Sequence, residues 1–535
     1  MRKLFFTAAL AMGATLTTQA GGILTNTNQS VAFLRNPARG AYIAIDGAYS
    51  NPAGIGFLSN GWHMGFNIQS AFQTREVDSY FPAFIQGQGN GDTGMKHFEG
   101  KAKAPVIPSL DLARVGDKWF ASFHFGITGG GGKCKFDDGL GSFESQVAML
   151  PSLVNILAPG VVTGYSMDTK MQGRQYYFGG QFGVGYKITP NLAVSVGGRV
   201  IYSDNNYYGY VRNIQVNTPM GSMPATTFFK EKTGYPDFAN LVTDKELNCD
   251  QTGWGFTPII GVDYKVGKVN LAAKYEFKTR LRLENRAGNN TSGVAEFDDG
   301  KKVAADIPAM LTLSAKYDVV NNFRLSGGFH YYFDKQATQY ENKEEKLKSG
   351  SYELLAGAEY DINKRWTVSA GWQNTHYGLG DNSEFISDMS FVTSSNSVGL
   401  GARFQMFKKV ALNVAYFHTF YKHYERQQKD YNHLATNFGA QLGAMGQKIG
   451  AGLKKNGEHM KAIGAWLADH PNATPAQKDL CNAHMNMLKG QNDIYKHELG
   501  ALGAIQKGAA GLNTAGVDNF YRTNFVFGLG LEIDF

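Results

Sequence analysis

Cysteine is scarce in this sequence, since the 535 residues include only Cys134, Cys249 and Cys481. The three stand far apart and are odd in number, so neither a metal-binding spacing nor a full disulfide framework is visible. Cys134 and Cys249 fall in segments that we predict below to be outward loops, where one bridge could form in an oxidising compartment. Unpaired thiols are the alternative.

Long hydrophobic runs are missing beyond the first 20 residues. Residues 1–20 combine Arg2 and Lys3 with an apolar run and small residues at Thr18 and Ala20, which is the pattern of a signal peptide. No later run reaches the about 18 apolar residues of an ordinary transmembrane helix. The sequence therefore predicts an exported protein without a helical anchor.

Strong charge and recognisable catalytic patterns are also absent. The net charge is +7 and no block of Lys and Arg occurs, which argues against a nucleic-acid partner. The 12 His are scattered without a His-Glu-x-x-His motif, and the Gly-Gly-Gly-Gly-Lys run at 129–133 lacks the ending of a phosphate-binding loop. We therefore predict no enzyme activity, no cofactor and no metal.

Glycine and aromatic residues are abundant, with 65 Gly, 36 Phe and 27 Tyr. This composition suits a transmembrane β-barrel, whose aromatic residues mark the two membrane interfaces. A secreted, soluble all-β protein is the alternative.

Alternation of apolar and polar side chains supports the barrel. Near the C-terminus one face consists of Tyr521, Thr523, Phe525, Phe527, Leu529, Leu531, Ile533 and Phe535. The other face is mostly polar or small, as a lipid-facing strand requires. Similar stretches predict fourteen strands at about 61–77, 106–115, 117–129, 173–187, 192–206, 252–265, 269–285, 308–318, 322–336, 350–361, 364–377, 395–406, 409–425 and 518–535.

The connections between these strands alternate in length. Several strands end in a tyrosine followed by a tight turn, which predicts one aromatic girdle containing Tyr186, Tyr264, Tyr317 and Tyr360. Other connections, such as 131–172, 207–250 and 286–306, are long and polar. Short turns on one side and long loops on the other are typical of an outer-membrane barrel of a Gram-negative bacterium, with the short turns in the periplasm.

Two segments have helical rather than strand periodicity. Residues 142–158 contain apolar side chains at steps of three or four, interrupted by Pro151. Residues 431–512 predict a helical hairpin in the last extracellular loop, with Thr474 as N-cap and Pro475 at the first position of its second helix. The predicted fold is thus a 14-stranded antiparallel barrel over residues 61–535 that carries this hairpin.

A barrel of this size is too wide for its wall side chains to fill, so its lumen must hold water or a plug. Residues 21–60 precede the first strand and are too apolar for a disordered tail, so we expect them to fold inside the barrel. Residues of both charge signs are expected to point inward, which favours ion pairs and hydrogen bonds that hold a plug over an ion filter of one sign. A solvated wall without a selective role is the alternative for each of these residues: Arg199, Lys274, Glu276, Lys316, Arg324, His330, Glu353, Glu359 and Arg403.

The order of signal peptide, apolar segment with the sequence AYSNPAGIGFLSNGWHMGFN, strands and terminal Phe535 resembles the FadL-type outer-membrane transporters of long-chain fatty acids. That family also includes channels for aromatic hydrocarbons. The resemblance implies that residues 21–60 form a hatch, with the family's recurrent Asn-Pro-Ala motif at Asn51, Pro52, Ala53 and the following Gly54. The helical segment 431–512 is not part of this resemblance.

The resemblance also implies a transport path. A kink in the third strand, at Gly126 or Gly129, would open the wall and release ligand sideways into outer-membrane lipid. An apolar groove among the outward loops would capture ligand, and its candidates are Val147, Leu150, Leu153, Ile156 and Leu157. Covering the barrel mouth is the alternative role of this stretch. The expected function is passive, ligand-gated uptake of hydrophobic compounds, fatty acids above all, by a barrel whose Phe535 engages the barrel assembly machinery. A surface adhesin that displays the 431–512 hairpin and a general porin are the alternatives.

Overall fold

The computed structural model describes residues 25–233, 235–380 and 385–535. The predicted signal peptide at 1–20 lies outside the described residues. In the part that is described, no helix is both long enough and apolar enough to cross a membrane.

Fourteen long antiparallel strands form one closed barrel, which confirms the predicted fold class. Strand β7 is interrupted once and β13 is extended by a short segment beyond its end. The strands are β1 Gly61–Tyr80, β2 Met95–Val115, β3 Trp119–Phe136, β4 Gly164–Thr189, β5 Leu192–Thr218, β6 Lys245–Val266, β7 Val269–Glu276 with Arg282–Asn290, β8 Met310–Val320, β9 Phe323–Tyr332, β10 Tyr352–Asp361, β11 Trp366–His376, β12 Ser395–Phe407, β13 Val410–Tyr421 with Tyr424–Gln428, and β14 Gly516–Asp534.

The barrel closes between its first and last strands. Strand β1 pairs with β14 from His63 opposite Asp534 to Tyr80 opposite Val517. Closure pairs the backbone groups that an open sheet would expose to lipid, where water cannot satisfy them. The alternation seen in the sequence then sorts side chains by solvent, since Phe527 and Leu529 are exposed on the outer surface while Asn524 is buried on the inner face.

Connections alternate in length as predicted. Strands on one side are joined by the short turns 116–118, 190–191, 267–268, 321–322, 362–365 and 408–409. On the other side the loops are much longer, including 137–163, 219–244 and 429–515. In outer-membrane barrels the short turns are periplasmic. The start of β1 and the end of β14 therefore lie on the periplasmic side, and the long loops lie outside the cell.

Several strands extend further toward the long-loop side than the sequence pattern indicates. Strand β2 begins at Met95 rather than near residue 106, and β5 continues to Thr218 rather than 206. The outward faces of these extensions are polar, because they stand beyond the hydrocarbon layer, and so the extensions resemble loops in sequence. Their inward faces carry buried apolar side chains such as Phe98, Val211 and Val216. Cys134 and Cys249 consequently lie in β3 and β6, not in loops, and both are buried free thiols with β4 and β5 between them.

Residues 25–60, called here the N-terminal segment, contain helix α1 Val31–Arg35, helix α2 Gly47–Ser50 and the 3-10 turn Pro52–Phe57. Nearly every residue of the segment up to Gly56 is buried or half-buried. Ser30 caps α1 by accepting a hydrogen bond from the amide of Phe33 at 3.1 Å. Such burial without a strand pattern requires walls on all sides, which the barrel supplies.

Helices α3 Gly141–Ala148 and α4 Leu150–Leu157 lie in the loop between β3 and β4. Two much longer helices, α5 Leu434–Asp469 and α6 Pro475–Ala509, form an antiparallel hairpin between β13 and β14. Thr474 caps α6 through a capping box with Gln477. Since α5 has 36 residues, the hairpin is about 54 Å long.

Candidate functional site

The N-terminal segment is attached to the inner wall by a buried cluster of charges around Glu359 on β10. Arg35 donates to the Glu359 carboxylate at 2.6 Å, and Arg39 lies 3.4 Å from the same oxygen. Arg324 from β9 donates to the second oxygen at 2.9 Å. Because one wall carboxylate faces two cations of the segment, this cluster holds the segment against one side of the barrel.

A second attachment contains the predicted hatch motif. Asn51 caps the turn 52–57 by accepting from the amide of Gly54 at 3.2 Å, and its side-chain amide donates to Asp263 on β6 at 2.5 Å. Pro52, Ala53 and Gly54 are buried beneath it. A Cβ on Gly54 would lie 2.4 Å from the Asn51 side chain, so a larger residue there would displace Asn51. The motif is therefore a compact turn fixed to the wall.

The other inward-predicted residues also lie on the lumen side. Lys274 on β7 donates to the carbonyl of Tyr49 at 2.9 Å, and Glu276 pairs with both Lys274 and Arg199 at 2.7 Å. His330 and Glu353 pair with each other, and Lys316, Arg324 and Arg403 are half-buried. The inward charges of both signs thus form ion pairs and hydrogen bonds and do not create an electrostatic field of one sign in the lumen.

The wall is interrupted between β2 and β3. The two strands pair at residues 100–102 with 134–136 and again at 110–115 with 120–125, but not in between. Gly126 and Gly129 both lie in the unpaired stretch of β3. The left-handed backbone is nevertheless at Gly130, with φ of +85°, and at Gly132, with φ of +68°. These two glycines, which the sequence reasoning missed, change the direction of the β3 backbone.

The beginning of the N-terminal segment covers this interruption, which we call the wall gap. Thr25 pairs with Gly129, and the amide of Asn26 donates to the carbonyl of Thr128 at 2.9 Å. The side chain of Gln29 donates to the carbonyl of Ile127 at 2.8 Å. Residues 25–29 therefore satisfy two β3 carbonyls, of Ile127 and Thr128, in the stretch that has no partner on β2.

Gly126 packs closely against the N-terminal segment. A Cβ at this position would lie 2.5 Å from the Gln29 side-chain oxygen and 2.9 Å from the His124 ring. His124 in turn contacts Asp111 at 2.8 Å and Gln29 at 3.3 Å. The missing side chain at Gly126 thus allows Gln29 to reach both the wall gap and this buried polar pair.

An apolar cavity of about 460 Å³ lies on the long-loop side. Three of the five candidate groove residues, Leu150, Leu153 and Leu157 of α4, line this cavity. Val147 is packed in the core, and Ile156 packs on Gly508 of α6. The remaining walls come from two sources that the sequence reasoning did not connect with this site. They are the turns of residues 228–242, with Phe228, Phe229 and Phe238, and the bases of the hairpin, with Leu434, Phe438, Leu442 and Ile505.

A smaller cavity of about 110 Å³ lies among the loops and is lined by three buried carboxyl groups, those of Glu296, Asp334 and Glu344. Burial raises the pKa of Glu296 to about 7, which Lys343 at 3.9 Å offsets only in part. Burial also raises the pKa of Asp334 to about 6, although this carboxylate accepts a hydrogen bond from the amide of Ser351 at 2.7 Å. Nowhere in the described residues do three His, Cys, Asp or Glu side chains converge as a metal site would need.

Comparison with known proteins supports the class of fold. Residues 253–404 match the family model described as an outer membrane protein beta-barrel domain. No curated protein matches the chain. The barrel architecture and this match define a multi-pass β-barrel protein of a Gram-negative outer membrane.

Solved structures make the fold more specific. A FadL homologue of Pseudomonas aeruginosa is 13% identical, with a TM-score of 0.55 over 96% of this chain and 100% of its own. The TodX deltaS2S3 mutant monoaromatic hydrocarbon channel is 12% identical, with a TM-score of 0.50 over 95% and 99%. The P. putida toluene transporter TodX is 12% identical, with a TM-score of 0.48 over 92% and 95%. The chain has a FadL-like fold.

Proposed function

We propose that this protein is a passive outer-membrane channel for hydrophobic compounds, chiefly long-chain fatty acids, and that it releases them sideways through the wall gap. The observation that carries the proposal is the unpaired stretch between β2 and β3, closed by residues 25–29 of the N-terminal segment. A gap held shut by a separate segment can open without breaking the barrel. The FadL homologue and the hydrocarbon channels of similar fold support the same class of ligand.

The apolar cavity is the proposed capture site. Each methylene group that leaves water for such a surface gains about 0.8 kcal/mol, so a long acyl chain can enter without an energy source. Lys232 is the charged residue among the described residues that line this cavity. An ammonium group beside an apolar wall suits a carboxylate head, which favours fatty acids over neutral hydrocarbons.

In this mechanism the N-terminal segment is the hatch. Ligand that descends from the cavity displaces residues 25–29 from the wall gap, while the Asn51 turn and the Glu359 cluster keep the rest of the segment in the lumen. The ligand then passes into the outer-membrane lipid without entering the periplasm. We further propose that Phe535, exposed at the end of the chain, is read by the barrel assembly machinery.

A disulfide across the wall gap tests the mechanism. Thr25 and Gly129 face each other as an antiparallel pair, a geometry compatible with a disulfide, so both would be replaced by cysteine after the three native cysteines are changed to alanine. Uptake of labelled oleate by cells that lack another fatty acid channel is expected to fall when the bridge forms and to recover on reduction. The control bridge joins Val184 and Val196, paired on β4 and β5 away from the N-terminal segment.

Full oleate uptake with the Thr25–Gly129 bridge closed would refute lateral release through the wall gap. The ligand class is tested separately by Lys232→Gln, with Lys230→Gln as the matched control outside the cavity lining. We expect K232Q to weaken oleate uptake and to leave toluene uptake unchanged. Equal effects on both ligands would count against a carboxylate contact.

A second candidate function is surface adhesion by the hairpin. Leu480, Met487 and Ile494 recur every seven residues on α6 and are all exposed, as on a helix face that meets another molecule. Asn456 of α5 donates to Gln491 and Asn492 of α6 at 3.2 and 2.9 Å, so the two helices remain joined just below this level. Residues 457–490 can therefore be replaced by a short turn, and the hairpin bases that line the cavity stay in place. Loss of cell-surface binding with unchanged oleate uptake would support the adhesin function for the outer half of the hairpin.

A further inference from the structure

A basic patch stands on the outer surface of the barrel beside the wall gap. Six side chains on the neighbouring strands β2, β3 and β4 form this basic patch: Lys101, Lys103, Lys133, Lys135, Lys170 and Arg174. All six are exposed or half-buried, while their neighbours Ala102 and Cys134 point inward and are buried. The alternation along β2 and β3 therefore directs the cations outward.

The register sets like charges against each other. Lys101 lies opposite Lys135 across β2 and β3, and Lys133 lies opposite Arg174 across β3 and β4. Like charges in directly opposed positions destabilise a sheet. Such an arrangement is more stable when an anion lies between the cations.

Carboxylates of the protein neutralise this patch only in part. Lys101 pairs with Glu99 at 2.6 Å, Lys135 and Lys170 share Asp137 at 2.7 and 3.1 Å, and Arg174 pairs with Asp204 at 2.8 Å. In the described parts of the chain, no ion pair is formed by Lys103 or Lys133. These two cations flank the wall gap, since β2 leaves its pairing with β3 after Ala102 and resumes at Leu110.

The height of the patch matches the outer boundary of the membrane. The path along β3 from Trp119, beside the periplasmic turn, to Lys133 rises about 35 Å for a strand tilted by about 40°. The apolar band of such barrels is only about 25 Å tall. Beside the cations and on their periplasmic side the outer surface is apolar or aromatic, with Phe72, Val106, Tyr176 and Phe178. Cations above and apolar groups below match the phosphate head and the acyl tails of a lipid.

We propose that the basic patch binds the phosphate groups of a phosphorylated glycolipid in the outer leaflet and seats its acyl chains over the wall gap. One phosphate lies between Lys103 and Lys133, where the protein supplies no carboxylate. The lipid at this position is then the first molecule that a ligand meets on leaving the barrel. The site differs from the capture cavity, which lies among the long loops, and it does not depend on which ligand is transported.

Binding of diphosphoryl lipid A to the purified full-length protein tests the proposal. The dissociation constant would be measured by native mass spectrometry from detergent micelles doped with this lipid. Two cations near a membrane surface contribute about 30-fold to binding of an anionic lipid, so K103Q/K133Q is expected to bind about 30-fold more weakly. K103R/K133R, which keeps both charges, should bind like the unmodified protein.

The matched control is K364Q/K409Q, which removes two exposed lysines at the periplasmic turns and should not change binding. Dephosphorylated lipid A should bind weakly to every variant. The proposal is overturned if K103Q/K133Q binds as tightly as the control, or if the dephosphorylated lipid binds equally well. Displacement of the lipid by millimolar inorganic phosphate would also overturn it, since the patch would then bind free phosphate rather than a lipid.

Discussion

Replacing Glu359 by glutamine should release the N-terminal segment from the wall. Of the three cations around this carboxylate, Arg39 keeps Asp46 at 2.8 Å and Arg324 keeps Asp361 at 2.7 Å. Arg35 loses its carboxylate and, among the described residues, retains the neutral acceptors Ser369 and Asn413, at 2.8 and 3.2 Å. The perturbation therefore falls mainly on the one cation that ties α1 to β10.

The size of the expected destabilisation follows from the contacts that Arg35 keeps. Removal of one partner from a buried ion pair costs about 3–5 kcal/mol, and the two neutral acceptors place Arg35 at the low end, about 3 kcal/mol. At 1.36 kcal/mol for each factor of ten, the equilibrium between attached and released segment should shift by about 150-fold.

Two measurements would detect the release. Hydrogen exchange of residues 31–57 should accelerate, and planar-bilayer conductance of the purified protein should rise. Asp361→Asn is the matched control, because it removes a carboxylate that contacts Arg324 and Thr367 of the wall but no residue of the segment. The reasoning fails if E359Q exchanges and conducts like the unmodified protein, or if D361N has the same effect.

Two further predictions concern the loops and the wall gap. Because the pKa of Glu296 is raised from 4.5 to about 7, the folded loop binds the proton more tightly than the unfolded chain, so its stability should fall as the pH rises from 4.5 to 7. The loss is up to about 3 kcal/mol. Protection factors of the amides of residues 291–309, which are corrected for the intrinsic pH dependence of hydrogen exchange, should be higher at pH 5 than at pH 8, and E296Q should remove this difference; an unchanged difference in E296Q would assign it to another group. Gly130→Ala should lower the free energy of unfolding of the barrel by about 2 kcal/mol, seen as a lower urea midpoint. The reason is that φ at Gly130 is +85° and a Cβ there would lie 2.6 Å from the carbonyl of Gln175. Gly288→Ala, where the space is open, is the control, and equal midpoints for both variants would contradict the strain argument.

Features with a short-range physical cause could be predicted from the sequence. The alternation of β14 follows from lipid on one side and a polar lumen on the other, and Thr474 with Pro475 marks the start of α6 because capping depends on neighbouring residues. The inward position of Glu359 followed from the same alternation. Its partners on the N-terminal segment did not, because Arg35 stands more than 300 residues earlier in the chain.

The site shows the same division. Glycines near the wall gap were recognisable in the sequence, but Gly130 and Gly132 carry the positive φ values, a distinction that depends on how β3 shifts its register against β4. The leucines of α4 were recognisable as an apolar surface. Periodicity could not show that residues 228–242 and the hairpin bases complete the cavity, because these segments belong to different loops that are far apart in the sequence.

The sequence by itself determined the barrel, the side on which its short turns lie, the hairpin and the existence of an apolar segment before β1. These depend on patterns within about 20 residues, where solvent and backbone geometry act locally. Only the tertiary structure decided that residues 25–29 close the gap between β2 and β3, and that six cations meet beside it. Closure brings distant segments and strands together in one register, and the resulting contacts depend on all of them at once.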